Sequence, residues 1–267
     1  MAVSQPGAPL TERSSRVVAA RKLAQRKHRD RSRRFLVEGP QAVREAVSAD
    51  AVVELFATAE AAARHPDVFS ACDRASIVTS TALKSLAETV QPQGLVAVCG
   101  YVDGPVVPGR LVVVLDGIAD PGNAGTVLRT ADAAGADCVV FPDGSVDPYN
   151  GKCVRSAAGS LFHLPVVRGG DVSDHIITLR RSGMSVVAAD AHGDRDLVEA
   201  VADGVLDGPT AWVFGSEAHG LSSRAADGVD TRIKVPVYGQ AESLNLSIAA
   251  AVCLYASAGQ HRKGASP

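Results

Sequence analysis

Val213-Phe214-Gly215-Ser216-Glu217-Ala218-His219-Gly220-Leu221-Ser222 decides the fold class of this 267-residue chain. Apolar residues run without alternation into a glycine, and a short polar loop follows. A strand that is apolar on both sides needs cover on both faces, the situation of a strand inside a parallel sheet. The apolar run is 211–214, and four more near-continuous runs fall at 111–115, 138–141, 185–189 and 232–235, with helical segments between them. Strands and helices in alternation predict a doubly wound α/β unit over 110–262. Ligands of such sheets bind beyond the carboxyl ends of the strands. Gly215 follows one strand there, Val235 ends another, and Leu244 opens the next helix behind Ser243, read as its cap. Together these three positions can hold an adenosine by backbone hydrogen bonds and apolar packing.

Upstream, the segment 100–109 carries three Gly and two Pro and reads as a boundary, with 101–109 a linker. Before it, 34–38, 52–57, 76–79 and 95–99 read as strands, with helices from Pro40, from about Ala59 and over 81–87. This predicts a small α/β domain over 14–100. A basic, weakly amphipathic helix from Ser14 through Lys27 precedes its first strand, and residues 1–13 read as disordered.

Charge separates these parts. Residues 11–34 hold ten Lys or Arg against two Asp or Glu, a local charge of +8 in a chain of net −2, so the remainder is −10. A basic module on an acidic body is the pattern of a protein that grips nucleic acid with one part. Arg26, Lys27, Arg29 and Arg31 are the candidate contacts to nucleic acid, RNA or DNA; a solvated basic helix, or a tail ordered only on binding, is the alternative reading. The cysteines Cys72, Cys99, Cys138, Cys153 and Cys253 have no CxxC spacing and mostly apolar neighbours, which predicts reduced thiols in a cytoplasmic protein. Neither a signal peptide nor an apolar run long enough to span a membrane is expected, and the scattered histidines predict no metal site.

The usual nucleotide motifs do not fit. GxGxxG is absent, and 144–152 lacks the spacing of a phosphate loop, with Cys153 where Ser or Thr is needed. Instead, three blocks occur in order: Asp116-Gly117-Ile118-Ala119-Asp120-Pro121-Gly122-Asn123-Ala124-Gly125-Thr126-Val127-Leu128-Arg129-Thr130-Ala131, then the Val213 to Ser222 stretch, then Glu242-Ser243-Leu244-Asn245-Leu246-Ser247 after Ile233-Lys234-Val235-Pro236-Val237. Together they resemble the three motifs of the SpoU family, RNA 2′-O-ribose methyltransferases of the SPOUT superfamily. The family commonly has Gly where Ala218 stands and Met where Val237 stands.

The resemblance implies a parallel sheet with a C-terminal trefoil knot that binds S-adenosylmethionine at Gly215, Val235 and Leu244. It implies Arg129 as the central catalytic group, with Asn123, Glu217, Ser243 and Asn245 around it, and a homodimer whose partner completes the site. The first domain looks like the L30e-like substrate-binding domain of such enzymes. Ribosomal RNA, the 23S molecule first, is the implied substrate; tRNA, or a non-catalytic role in ribosome assembly, are the alternatives. An Arg ionises above about 12 and is a poor base at neutral pH, so Arg129 acts either by clamping phosphate and steadying alkoxide charge or by losing its proton in a special environment. Lys152 and Arg155 are further candidates for phosphate contact. The helix 247–256, apolar nearly all round, is expected to be buried.

Overall fold

In the computed structural model, which describes residues 8–263, the chain groups into two units. One runs to Val102 and takes in Tyr149–Phe162; the other comprises Asp103–Pro148 and the chain from His163.

In the first unit, α1 (Ser15–Arg21), a 3-10 turn (Lys22–Ala24) and α2 (Arg26–Ser32) lead into β1 (Arg34–Glu38). Then follow α3 (Pro40–Ser48), β2 (Val52–Ala57), α4 (Ala59–Arg64), α5 (Pro66–Ser70), β3 (Ala75–Ile77), α6 (Ser80–Leu86) and β4 (Leu95–Gly100). The sheet order is β1-β4-β2-β3, with β4 antiparallel to both neighbours and β2 parallel to β3. The basic segment is two short helices rather than one, because Gln25 turns to extended backbone between them. Its few apolar residues are nonetheless enough to dock it: Val17, Ala20 and Leu23 pack with Phe56, Leu83 and Val96. The disorder expected over 1–13 falls partly on residues 1–7, outside the described residues. From Leu10 onward the chain is ordered, since Leu10 bridges to Val78 and exchanges backbone hydrogen bonds with Ile77 and Thr79.

The second part of the chain contains β5 (Leu111–Leu115), α7 (Pro121–Ala134), β6 (Cys138–Phe141), α8 (Gly151–Ala157), β7 (Val166–Arg168) and α9 (Val172–Arg181). It continues with β8 (Ser185–Ala189), β9 (Arg195–Asp196), α10 (Leu197–Ala202), β10 (Thr210–Phe214), α11 (Ser223–Gly228), β11 (Thr231–Lys234) and α12 (Leu246–Lys263). Its seven strands are all parallel, in the order β7-β6-β5-β10-β8-β11-β9. Val112, Val114, Ala211, Val213, Val186 and Ala188 face one cluster with Ile176 and Leu179 of α9. Their alternates, such as Trp212, point the other way, where the Trp212 Nε1–H donates to Ser257 Oγ of α12 at 2.8 Å. Side chains alternate in direction, yet both directions are buried, which explains the unbroken apolar runs.

Of the second part, α8 and the rest of Tyr149–Phe162 group with the first unit, although their place in sequence falls inside 110–262. The cause is aromatic packing. Tyr149 is buried, stacks on Tyr101 at 3.9 Å between ring centroids and touches Phe35 at 4.6 Å. Its hydroxyl also accepts from the Val102 N–H at 2.8 Å.

Helix α12 departs from full burial. It packs on α7, β10 and β5, but Ile248, Val252 and Tyr255 are 53%, 41% and 57% exposed. Spaced four and three apart, they form one apolar stripe along the helix.

Candidate active site

Beyond the carboxyl ends of β8, β10 and β11 lies a cleft of about 1090 Å³. Gly215, Glu217 and His219 line it from the loop after β10. Val235 lines it after β11, and Ser243, Leu244 and Asn245 line it before α12.

The loop after β10 is a closed turn. Ser216 and Gly220 exchange backbone hydrogen bonds of 2.8 and 2.9 Å, and the His219 N–H donates to Ser216 Oγ at 3.1 Å. A side chain at Gly215 would place Cβ 2.3 Å from the Gly220 carbonyl carbon and 2.4 Å from the Leu221 nitrogen. The close approach that demands glycine is therefore the loop's own backbone. Asp116, buried at the end of β5, holds the far side of this loop by accepting from the Ser222 N–H at 2.7 Å. The sequence reading passed over Asp116 as a site residue. A carboxylate directly after an apolar parallel strand was the signal for it.

A second loop reaches the cleft after β8. The Asp190 N–H donates to the Ile233 carbonyl at 3.0 Å. A Cβ on Gly193 would meet the backbone of Arg232, Ile233 and Lys234 at 2.8 Å, so Gly193 lets this loop lie flat on β11.

The polar residues of the three sequence blocks meet beside the cleft. Asp120 caps α7 by accepting from the Asn123 N–H at 2.8 Å. Asn123 Nδ2 then donates to Glu217 Oε1 at 2.8 Å, while Asn123 Oδ1 accepts from Asn245 Nδ2 at 3.2 Å. Asn245 Oδ1 accepts from the Ser247 N–H at 2.9 Å and the Ser247 hydroxyl at 2.6 Å. Asn245, and not Ser243 as expected, thus caps α12. Its amide side chain satisfies the first turn, whereas Ser243 is exposed on the cleft wall two residues earlier. Residues separated by up to 122 positions form one chain, Glu217–Asn123–Asn245–Ser247.

Arg129 is the outlier. Six residues beyond Asn123 on α7, it is exposed, is absent from the cleft wall and makes no hydrogen bond or ion pair among the described residues. Geometry leaves this guanidinium available to a phosphate or a carboxylate from outside.

The basic segment divides. Lys27 is exposed, Arg26 lies 3.5 Å from Asp30 at the surface, and Arg31 is exposed beside His28. Arg29 is a correction: it is 4% exposed, and its Nη1 donates to the Leu23 and Ala24 carbonyls at 3.0 and 2.9 Å. It closes the 3-10 turn, as a buried cation must find acceptors, and cannot face a phosphate from there. Arg155 is likewise committed, pairing with Glu38 at 2.9 Å and Glu88 at 2.7 Å. Despite partial burial, these carboxylates raise its pKa further. All five cysteines are free, and burial pushes the Cys253 thiol up to about 12. Among the described residues no cluster of three His, Cys, Asp or Glu is placed to hold a metal ion, and no helix is long and apolar enough to cross a membrane.

Known proteins resemble this chain in sequence and fold. Residues 110–255 match the model of the SpoU rRNA Methylase family, and residues 14–97 match that of the MRM3-like substrate binding domain. The chain is 34% identical, over 88% of its length and 92% of the relative's, to the 23S rRNA (guanosine(2553)-2′-O)-methyltransferase RlmP of Bacillus subtilis. Among solved structures, the SpoU methyltransferase AviRb of Streptomyces viridochromogenes in complex with AdoMet superposes with a TM-score of 0.80 at 30% identity, covering 94% of this chain and 99% of that one. An RNA 2′-O ribose methyltransferase superposes with a TM-score of 0.80 at 30% identity, covering 95% and 99%.

Proposed function

The chain belongs to the SpoU rRNA methylase family and is an S-adenosylmethionine-dependent RNA 2′-O-ribose methyltransferase; we propose that its substrate is the 23S RNA of the large ribosomal subunit. The relative from Bacillus subtilis, matched over most of both chains, supports this substrate. The observation that carries the site is the Glu217–Asn123–Asn245 chain at the mouth of the cleft.

The cleft fits the cofactor. Its volume of about 1090 Å³ lies at the upper end of ligand pockets, which run to roughly 1,000 Å³. Its wall combines apolar Val235, Pro236 and Leu244 with backbone at strand ends, suited to an adenosine. S-adenosylmethionine supplies a methyl group on a sulfonium, already a strong electrophile, so the protein's task is placement and proton handling. Gly215, Val235 and Leu244 bind the cofactor in this reading.

Asn123 and Asn245 hold Glu217 at the mouth of the cleft, and Arg129 stabilises the charge that develops as the ribose hydroxyl loses its proton. Ser243, exposed on the wall, orients the hydroxyl. Arg26, Lys27 and Arg31, with the rest of 14–100 as a substrate-binding domain, grip RNA phosphates.

Two features support a homodimer. The stripe Ile248, Val252 and Tyr255 on α12 is apolar and exposed, and Arg129 on the adjoining α7 has no hydrogen bond or ion pair among the described residues. A second copy seated on the stripe would cover it and complete the surroundings of Arg129. The return of the chain from β11, near one edge, to α12 against β5 and β10 is compatible with the trefoil knot. Free thiols and an RNA substrate agree with a cytoplasmic location.

The test is transfer of labelled methyl to unmodified 23S transcript, followed by mapping of 2′-O-methyl positions in RNA from cells with and without the protein. A new ribose methyl on 23S RNA is the expected result. Methyl appearing only on tRNA would overturn the substrate, and absence of transfer together with absence of cofactor binding would overturn the activity.

A further inference from the structure

The chain has eleven aromatic residues, and in the described structure only two of them are exposed, Tyr238 at 88% and Tyr255 at 57%. Tyr255 belongs to the apolar stripe of α12. Tyr238 does not. It stands in the loop between β11 and α12, and its ring has no hydrogen bond or aromatic contact among the described residues. Its neighbours on both sides line the cofactor cleft, Pro236 and Val237 before it and Glu242 and Ser243 after it. A loop that lines the cleft on either side of Tyr238 thus carries one aromatic ring exposed to solvent.

We propose that Tyr238 is a substrate-positioning residue whose ring stacks on the nucleobase of the target nucleotide. The inference rests on the reading of the chain as an RNA 2′-O-ribose methyltransferase and deepens it. To bring a ribose 2′-hydroxyl into a cleft, the nucleotide must leave the stack of its neighbours. The base on that same sugar then loses its stacking partner, and an aromatic side chain restores one. Tyrosine does this at low entropic cost, having two side-chain torsions to fix. Lys234 lines the cleft and is exposed, a cation available to the adjoining phosphate. A ring with a π-face accepts any base, so Tyr238 sets position more than sequence choice.

The experiment compares Tyr238→Ala, Tyr238→Leu and Tyr238→Phe in the full chain, with unmodified 23S transcript as the RNA. Steady-state methyl transfer gives KM and kcat, calorimetry gives S-adenosylmethionine affinity, and sedimentation gives the oligomeric state. Tyr238→Ala and Tyr238→Leu should raise KM for RNA roughly 5- to 150-fold, the loss of one base–aromatic stack. Tyr238→Phe should stay near wild type, with kcat, cofactor affinity and oligomeric state unchanged in all three. An unaltered KM in Tyr238→Ala overturns the proposal. So does a Leu variant as good as Phe, which would make the contact merely apolar, and so does dissociation of an oligomer in Tyr238→Ala, which would seat the ring against a second copy. A wild-type chain that binds cofactor and methylates RNA while its Ala variant is unaffected separates this failure from that of the activity itself, which a wild-type chain inert toward both would refute together with the proposal.

Discussion

Asn123→Asp is the most informative perturbation of the site, because it changes charge with almost no change in shape. The wild-type amide donates to Glu217 at 2.8 Å and accepts from Asn245 at 3.2 Å. Aspartate keeps the acceptor for Asn245 but sets a second carboxylate against Glu217. Two like charges 4 Å apart repel by about 1 kcal/mol in water and about 4 kcal/mol at an effective dielectric of 20. Asn123 is half-buried and Glu217 exposed, so the lower part of that range applies. Adding the lost hydrogen bond to a charged acceptor, about 1.5–3 kcal/mol, gives about 2.5–4 kcal/mol in total, or a roughly 70- to 900-fold slower transfer at neutral pH. The facing carboxylates favour the protonated form, so one of the pair titrates at a raised pKa. The penalty is therefore absent at pH below that raised value and grows as pH rises through it. Asn123→Ala, which removes both bonds without adding charge, should lose the hydrogen-bond part alone, about 1.5–3 kcal/mol or roughly 10- to 150-fold, with no such pH dependence. The assay is single-turnover transfer of labelled methyl to 23S transcript at saturating cofactor, from pH 5.5 to 9, with thermal melts in parallel. The melts should move little, because the bonds lie at a solvent-exposed mouth. An Asp variant that tracks the Ala variant at every pH, or either variant at full rate, would refute the network as the orienting element.

Arg129→Ala should slow transfer by about 10²–10³ with unchanged melting and cofactor affinity, since the side chain has no partner among the described residues, and Arg129→Lys should restore little; full activity in Arg129→Ala would remove it from the mechanism. Gly215→Ala should abolish S-adenosylmethionine binding in calorimetry because its Cβ collides with the Gly220–Leu221 backbone and forces the loop open; normal affinity would show that the loop can yield. Replacing Arg26, Lys27 and Arg31 with Gln should flatten the salt dependence of RNA binding by about 0.7 log units of slope per lost single-strand contact, without changing the melt. Arg29→Gln should do the reverse, lowering the melting temperature because the Leu23 and Ala24 carbonyls lose their donor; a pure salt-slope effect there would contradict its burial.

Sequence alone determined the larger sheet, because four of its seven strands, β5, β6, β8 and β10, are near-continuous apolar runs of the kind found where both faces are covered, while β11 carries Arg232 and Lys234. It missed β7 and β9, whose three and two residues are too short to carry a period. It also holds the three blocks whose resemblance to the SpoU motifs implies the family and points to Asn123, Glu217 and Asn245. Only the tertiary structure decided how these residues are used. That Asn123 bridges Glu217 and Asn245, that Asn245 rather than Ser243 caps α12, and that Gly215 is glycine for the sake of Gly220 are facts of packing between segments distant in the chain. The same holds for Arg29 and Arg155. In the sequence each is one more cation in a basic stretch. In the fold each has found acceptors, because a guanidinium removed from water must be paired, and which arginines are removed from water depends on the packing of the whole unit.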